Sequence, residues 1–453
     1  MDVKTPLQSE NLPAPVSHAV DCAGHKKKSK KHRIFKTIVL STLIWVGVRH
    51  FGRARSAFNL ADPVSWPIPD NVSVDHCAEW STSVASDVVD DFPYAADASF
   101  ELPVSAETLF LISRSARHRA FAAGHVNYVQ SEDVSDTVKV DITARFWLDE
   151  YLDASKVCLL KRGEDESGVG IFTKWDRGRH SKEHEKLRFE VTVTFPQTSE
   201  DSPLAIKKLS TDLEIFTQIF GDVSNINFNS LFVKGSLGGV YAETLSTENA
   251  KIRTSLGAIK IQSLIAEDAD VSTSMGPIEG TYNSSNVLVL HTSNGAINVD
   301  VNLFNEGEDP AKLRMHTSNG FIQGKINLES SKGPDASFDL AARTSNSRIA
   351  LDVLASPLDA TLALRATTSI GSVSVKLPTT YEGSFDATTS LAGLSVTFDE
   401  KAEDPAGEGR KRSIEFEGVR RNRAKGRVGW SEEGLARGTV SVRSSMAPVS
   451  LEF

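Results

Sequence analysis

Leu288-Val289-Leu290-His291-Thr292-Ser293-Asn294-Gly295-Ala296-Ile297 returns downstream as Leu313-Arg314-Met315-His316-Thr317-Ser318-Asn319-Gly320-Phe321-Ile322. The shared pattern is apolar-x-apolar-x-Thr-Ser-x-Gly-x-apolar. Related copies begin at Thr254, Thr273, Thr344, Thr368 and Thr389, and weaker ones at Gly235 and Ser444. From 235 the starts are 19, 19, 19, 25, 27, 24, 21 and 55 residues apart. A unit this short cannot bury a core alone, so neighbouring units must stack. The last gap of 55 residues implies an insertion or a degenerate unit.

Within a unit the apolar residues alternate, which is the strand period. Leu340 and Ala342 precede Thr344, and Leu364 and Ala366 precede Thr368. Past the corner the apolar positions are Ile349, Leu351 and Val353, then Val373, Val375 and Leu377, then Leu394, Val396 and Phe398. The parity switches across Thr-Ser-x-Gly, so a bend there lets both strands face one interior. Glycine suits such a bend through its tolerance of positive φ, and Asn-Gly is a strong turn dipeptide. The expected place of the Thr is inward, stacked on the Thr of the next unit. Turn chemistry explains these residues without a ligand.

The chain has 453 residues and 40% apolar content, enough for a large core or several domains. Its net charge is −9, unevenly spread. Residues 1–55 hold eleven Lys and Arg against three Asp and Glu, leaving 39 against 56 in the rest. The acidic body argues against a nucleic-acid-binding role.

A basic run, Lys26 to Arg33, precedes the apolar stretch Ile34–Val48. Phe51 extends that stretch, and Lys36 and Arg49 lie near its ends, where they can snorkel. The expected organisation is a cytosolic tail over 1–33 and a single-pass signal anchor over 34–51, the alternatives being a cleaved signal peptide with an unusually long leader and a nuclear signal in the basic run. By the positive-inside rule the rest is extracellular or lumenal. A Pro-bearing stalk is expected over 52–97, an irregular β region over 98–230 and the repeat domain over 231–453, with a basic insertion near 400–430. In the β region Val138, Val140, Ile142, Ala144 and Phe146 alternate with polar residues, as do Leu187, Phe189, Val191, Val193 and Phe195. The fold class is therefore all-β, a parallel β-solenoid of short repeats with one transmembrane helix at its N-terminus.

Candidate chemistry is sparse. His180-Ser181-Lys182-Glu183-His184 matches the His-x-x-Glu-His zinc-peptidase pattern, but it sits in a charged stretch after Gly178 and before a strand, with no apolar helical stripe to carry it. Asp90-Asp91 is not an acid/base dyad of defined separation. No catalytic, metal or cofactor residue is assigned. Cys77 and Cys158 share the oxidising side of the expected topology and form a possible disulfide. Asn71 and Asn283 head sequons. Arg410, Lys411, Arg412, Arg420, Arg421, Arg423, Lys425 and Arg427 form a basic stretch. It suits an anionic partner, or alternatively a charged edge that discourages strand addition.

The serial Thr-Ser-x-Gly-x-Ile motifs from Thr254 to Thr389 resemble those of the putative-adhesin family of bacteria and fungi, whose members carry a domain of unknown function built from such repeats. The resemblance covers about 230–453. It implies a parallel β-solenoid, a cell-surface location and no established catalysis. The basic anchor and the 400–430 insertion depart from the family's simplest form. Together these readings give a membrane-anchored, non-catalytic surface or lumenal protein that binds a glycan or protein ligand. The alternatives are a polysaccharide-active β-helix enzyme and a purely structural spacer.

Overall fold

The computed structural model describes residues 65–84, 92–116, 123–174, 187–198, 202–332 and 335–453. The expected tail and anchor over 1–51, Asp90-Asp91 and the motif His180–His184 lie outside them. Among the described residues no helix is long and apolar enough to cross a membrane.

Nearly all the regular secondary structure of the described residues is strand. The first nine strands are β1 (Ser73–Cys77), β2 (Ser81–Val84), β3 (Tyr94–Pro103), β4 (Thr108–Ala116), β5 (Ala123–Val134), β6 (Thr137–Phe146), β7 (Ser155–Lys161), β8 (Glu166–Lys174) and β9 (Leu187–Gln197). Then come β10 (Leu204–Leu213), β11 (Ile215–Phe220), β12 (Ile226–Gly235), β13 (Val240–Arg253), β14 (Ile259–Thr273), β15 (Ile278–Thr292), β16 (Ile297–Phe304), β17 (Ala311–His316), β18 (Ile322–Glu329), β19 (Ser337–Arg343) and β20 (Ile349–Ala355). The last eight are β21 (Thr361–Thr368), β22 (Val373–Lys376), β23 (Gly383–Thr389), β24 (Leu394–Thr397), β25 (Ser413–Arg420), β26 (Arg423–Gly429), β27 (Gly438–Ser444) and β28 (Val449–Glu452).

Two parallel ladders result, one on each side of the Thr-Ser-x-Gly corner. Before the corner, β12 pairs with the second half of β13, and the ladder continues through the second halves of β14 and β15 to β17, β19 and β21. After the corner, β11 pairs with the first half of β13, and that ladder continues through β14 and β15 to β16, β18, β20 and β22. The alternating residues fill the space between the ladders: Leu340, Ala342, Ile349, Leu351, Leu364, Ala366, Val373 and Val375 are all buried.

Leu394, Val396 and Phe398 are only partly buried, because the rung that carries them is the end of the stack. Chain order and stacking order differ here. β27 pairs with β21 on one side and β23 on the other, and β28 lies between β22 and β24. The C-terminal rung is thus inserted as the penultimate one. The 55-residue gap holds the β25–β26 hairpin, which runs antiparallel along β23 and closes that ladder.

The region before 230 begins the stack. β4 and β8 extend the first ladder from β10 in parallel, and β5 and β9 extend the second from β11. Beyond them the pairing turns antiparallel, through β7 and β1 on one side and β6, β3 and β2 on the other. Residues 52–97 are therefore not a plain stalk: their described part supplies β1, β2 and the start of β3, held by pairing partners and by the Cys77–Cys158 disulfide. Antiparallel strands cover both parallel ladders at the N-terminal end and the first ladder at the other, while β24, paired among the described residues with β28 alone, leaves the second ladder ending in a short four-residue edge strand.

The corner differs from expectation in two respects. Each Thr is buried, but its hydroxyl does not meet the next Thr. It donates to the carbonyl at the Gly position of the neighbouring rung: Thr254 to Gly238 (2.9 Å), Thr273 to Gly257 (3.1 Å), Thr317 to Gly295 (3.1 Å) and Thr344 to Gly320 (3.0 Å). The same oxygen accepts from its own Gly N–H, as in Gly295 to Thr292 (3.1 Å). The glycine is required by close approach, not by positive φ. None of the corner glycines has a positive φ. A Cβ on Gly257, Gly276, Gly295 or Gly320 would lie 1.7 to 2.1 Å from the carbonyl oxygen of the rung beneath.

Candidate binding groove

Inward positions are taken by the core, so chemistry is left to outward-facing residues, and parallel pairing sets these in columns. Three residues before successive corners stand Phe232, Lys251, Asp270 and Val289, in direct register with one another and with Ser210. Two residues further back runs a second column, Lys208, Ser230, Asn249, Asp268 and Val287. Successive members of a column are about 4.8 Å apart. The columns line an open groove of about 620 Å³, with Arg162 at one end.

Its residues divide by chemistry. Phe232 is half-buried and offers an apolar patch. Lys251 is exposed, and among the described residues neither it nor Lys208 forms an ion pair. Asp270 is paired with Arg253 at 2.5 Å, and Asp268 accepts from Asn286 Nδ2 at 2.9 Å. Arg162 pairs with Glu166 and lies 4.8 Å above the ring centre of Phe110. Burial works against ionisation of Glu166. Arg162, Thr108 and the Lys208 charge outweigh it and hold the carboxyl below its ordinary range. Asp268 and Asp270 stand side by side on one strand rather than on facing walls. The site can therefore offer alternating cationic, amide, hydroxyl and apolar contacts to an extended ligand.

None of these groove residues stands out in the sequence by itself. The signal available to find them is their common offset from the corner, visible once the repeats are aligned.

The candidate site residues named from the sequence are scattered. Cys77 and Cys158 face each other across β1 and β7 and are joined by a disulfide, S–S 2.06 Å. Asn71 is exposed in the turn before β1. Asn283 is half-buried on the outer face of β15, tied to the neighbouring rungs: its Nδ2 donates to the Leu264 carbonyl at 3.1 Å, and its Oδ1 accepts from Asn302 at 2.7 Å.

The basic stretch does not form one continuous cationic face. Arg410 is bound to Asp404, Arg423 to Asp386, and Lys425 and Arg427 to Glu417. Arg412 is buried, with its guanidinium near the rings of Phe398 and Trp430. Lys411, Arg420 and Arg421 remain exposed. Among the described residues no group of three or more His, Cys, Asp and Glu side chains is placed to hold a metal. His291 and His316 do meet across neighbouring rungs, their rings tilted by 33° and their Nδ1 atoms 3.1 Å apart. Burial, then the charges of His291 and Arg343, lowers the pKa of His316.

Known proteins offer limited comparison. Residues 249–405, from the second half of β13 to just past β24, match the family described as a domain of unknown function, DUF7330. No curated protein matches the chain. Among solved structures, a putative cell adhesion protein from Clostridium sporogenes aligns at 9% identity over 79% of this chain and 99% of its own, with a TM-score of 0.21. A putative adhesin from Bacteroides fragilis aligns at 11% identity over 79% and 96%, with a TM-score of 0.25. Likenesses of this size carry no functional argument.

Proposed function

We propose that this chain is an adhesin-like, non-catalytic binding protein. A parallel β-solenoid built from its corner repeat presents an extended outer face to a glycan. The N-terminal apolar segment anchors it to a membrane, and the repeat body faces the extracellular or lumenal side. The observation that carries the reading is the pair of outward columns in the groove. They repeat polar contacts every ~4.8 Å, beside the apolar Phe232, along a path open at its surface. A polymer of hydroxyl-rich units fits such a path, its polar edges on Lys208, Asn249 and Lys251 and a C–H face on Phe232.

The test is calorimetric titration of the full chain with a panel of neutral and acidic oligosaccharides. Phe232→Ala and Lys251→Ala should each weaken binding about tenfold, the loss of ~1.4 kcal/mol expected of one good contact. Binding unchanged in both variants would remove the groove from the reading. Steady release of shortened product, abolished by Asp268→Asn, would replace it with the polysaccharide-active enzyme. Membrane topology is tested separately: protease added to sealed microsomes should spare the repeat body.

A further inference from the structure

The third residue of each corner, the x of Thr-Ser-x-Gly, forms a continuous column along one edge of the stack. Its backbone N–H donates to the Ser carbonyl of the neighbouring rung: Leu256 to Ser236 (2.9 Å), Met275 to Ser255 (3.0 Å), Asn319 to Ser293 (3.0 Å), Ile370 to Ser345 (3.0 Å) and Met446 to Ser369 (3.1 Å). Ser390 donates to Ser445, which places the Leu391 rung after the Met446 rung. The column therefore reads, in space, Leu237, Leu256, Met275; then Asn294, Asn319, Asn346; then Ile370, Met446, Leu391.

The first and last triads are apolar and exposed. Leu237 and Leu256 are each 47% exposed and Met275 56%; Ile370 is 49%, Met446 54% and Leu391 73%. The stack does not use these side chains. The middle triad is a hydrogen-bonded ladder, with Asn319 Nδ2 donating to Asn294 Oδ1 at 2.5 Å and Asn346 to Asn319.

We infer that this edge is a seam for a second copy of the same chain, packed antiparallel about a two-fold axis through Asn319. Under that rotation Leu237 meets Leu391, Leu256 meets Met446 and Met275 meets Ile370, while Asn294 meets Asn346. Every apolar residue then faces an apolar one and every amide an amide, as an isologous interface requires. A copy slipped by three rungs would set all three amides against apolar side chains. Charge selects the same place. The chain carries −9 overall, so two copies repel at long range. None of the corner residues at the nine rungs is charged.

Area sets the strength. Eight steps of ~4.8 Å give a seam of ~38 Å, and a stack two ladders thick makes it ~10 Å wide. Two copies together bury roughly 800 Å², below the ~1,200 Å² at which stable interfaces begin. The dimer is therefore weak and transient, populated only at high protein concentration.

Sedimentation velocity of the full chain in density-matched detergent, up to ~500 µM, tests the inference. The wild type should show a reversible monomer–dimer equilibrium. Leu256→Asp and Met446→Lys should each lower the association constant at least tenfold with unchanged circular dichroism, since both side chains already lie in solvent. The double variant should dimerise again, because the antiparallel arrangement sets the new Asp opposite the new Lys. A monomer at all concentrations would overturn the inference, as would a dimer indifferent to Leu256→Asp. Failure of the double variant to recover would also overturn it, because a parallel pair would set like charges together.

Discussion

Gly295 shows how much a single position in this molecule is fixed by its neighbour one rung away. Its backbone needs no unusual φ, yet a Cβ there would lie 1.7 Å from the Gly276 carbonyl oxygen. That carbonyl cannot easily retreat, because it accepts the Thr292 hydroxyl at 3.3 Å. Gly295→Ala is therefore expected to destabilise by ~1–3 kcal/mol, the range of overpacking in a well-packed interior. Gly393 is the control: its φ is ordinary, and a Cβ added there would meet no atom within 4 Å. Gly393→Ala should change stability by less than ~0.5 kcal/mol. Urea unfolding monitored by circular dichroism separates the two, and equal effects would contradict the close-approach account. The corner itself was legible from Thr-Ser-x-Gly and from the parity change across it. The reason for its glycine was not, because distance to the next rung is a tertiary fact that turn rules do not contain.

Among the elements, the strands were readable and their order was not. Leu340, Ile349 and Val373 announce inward faces by alternation alone, and all three are buried. Nothing in the motif at Ser444 says that its rung enters between those of Thr368 and Thr389, since equivalent rungs present equivalent edges to a neighbour. The hydrogen bonds record the insertion: Ser444 Oγ donates to the Gly371 carbonyl at 2.8 Å, and Thr389 Oγ1 donates to that of Ala447 at 3.0 Å. Buried Glu382 fixes the approach, accepting from the Trp430 N–H at 2.6 Å and from Arg437 at 2.8 Å. In a stack laid down in chain order, truncation trims the last rung and leaves the rest. Here removal of residues 438–453 takes out a rung with neighbours on both sides. It should detach the 383–397 rung and the β25–β26 hairpin together. Limited proteolysis of the truncated chain is expected to cut near 377–382 at rates at least tenfold above the intact chain. A core that remains resistant through residue 397 would show that the inserted rung is dispensable.

Across the whole molecule the repeats and the N-terminal cap are held by different means, so they should fail separately. Rungs from β13 to β22 each contact near neighbours only, and their stability is close to a sum of local terms. The cap instead folds back through β7 and β1, and it closes on the Cys77–Cys158 disulfide across a sequence separation of 81 residues. Cys158 sits in a small core of its own with Phe110, Ile112, Leu160 and Phe172, against Trp66, Ile68 and Val72. Closing a loop of that length stabilises by up to ~4.5 kcal/mol in the chain-entropy picture. The cost of losing the bond should therefore fall on the cap. Cys77→Ala is expected to raise amide hydrogen exchange in β1, β7 and β8 by one to two orders of magnitude, corresponding to ~1.4–2.8 kcal/mol of local opening. Exchange in β14 to β20 should stay within about twofold of the wild type, because five strands of the ladder (β8, β4, β10, β12 and β13) separate β14 from β7. Accelerated exchange along the entire stack would mean that cap and repeats unfold as one unit, and that the disulfide secures the whole molecule rather than its first turns.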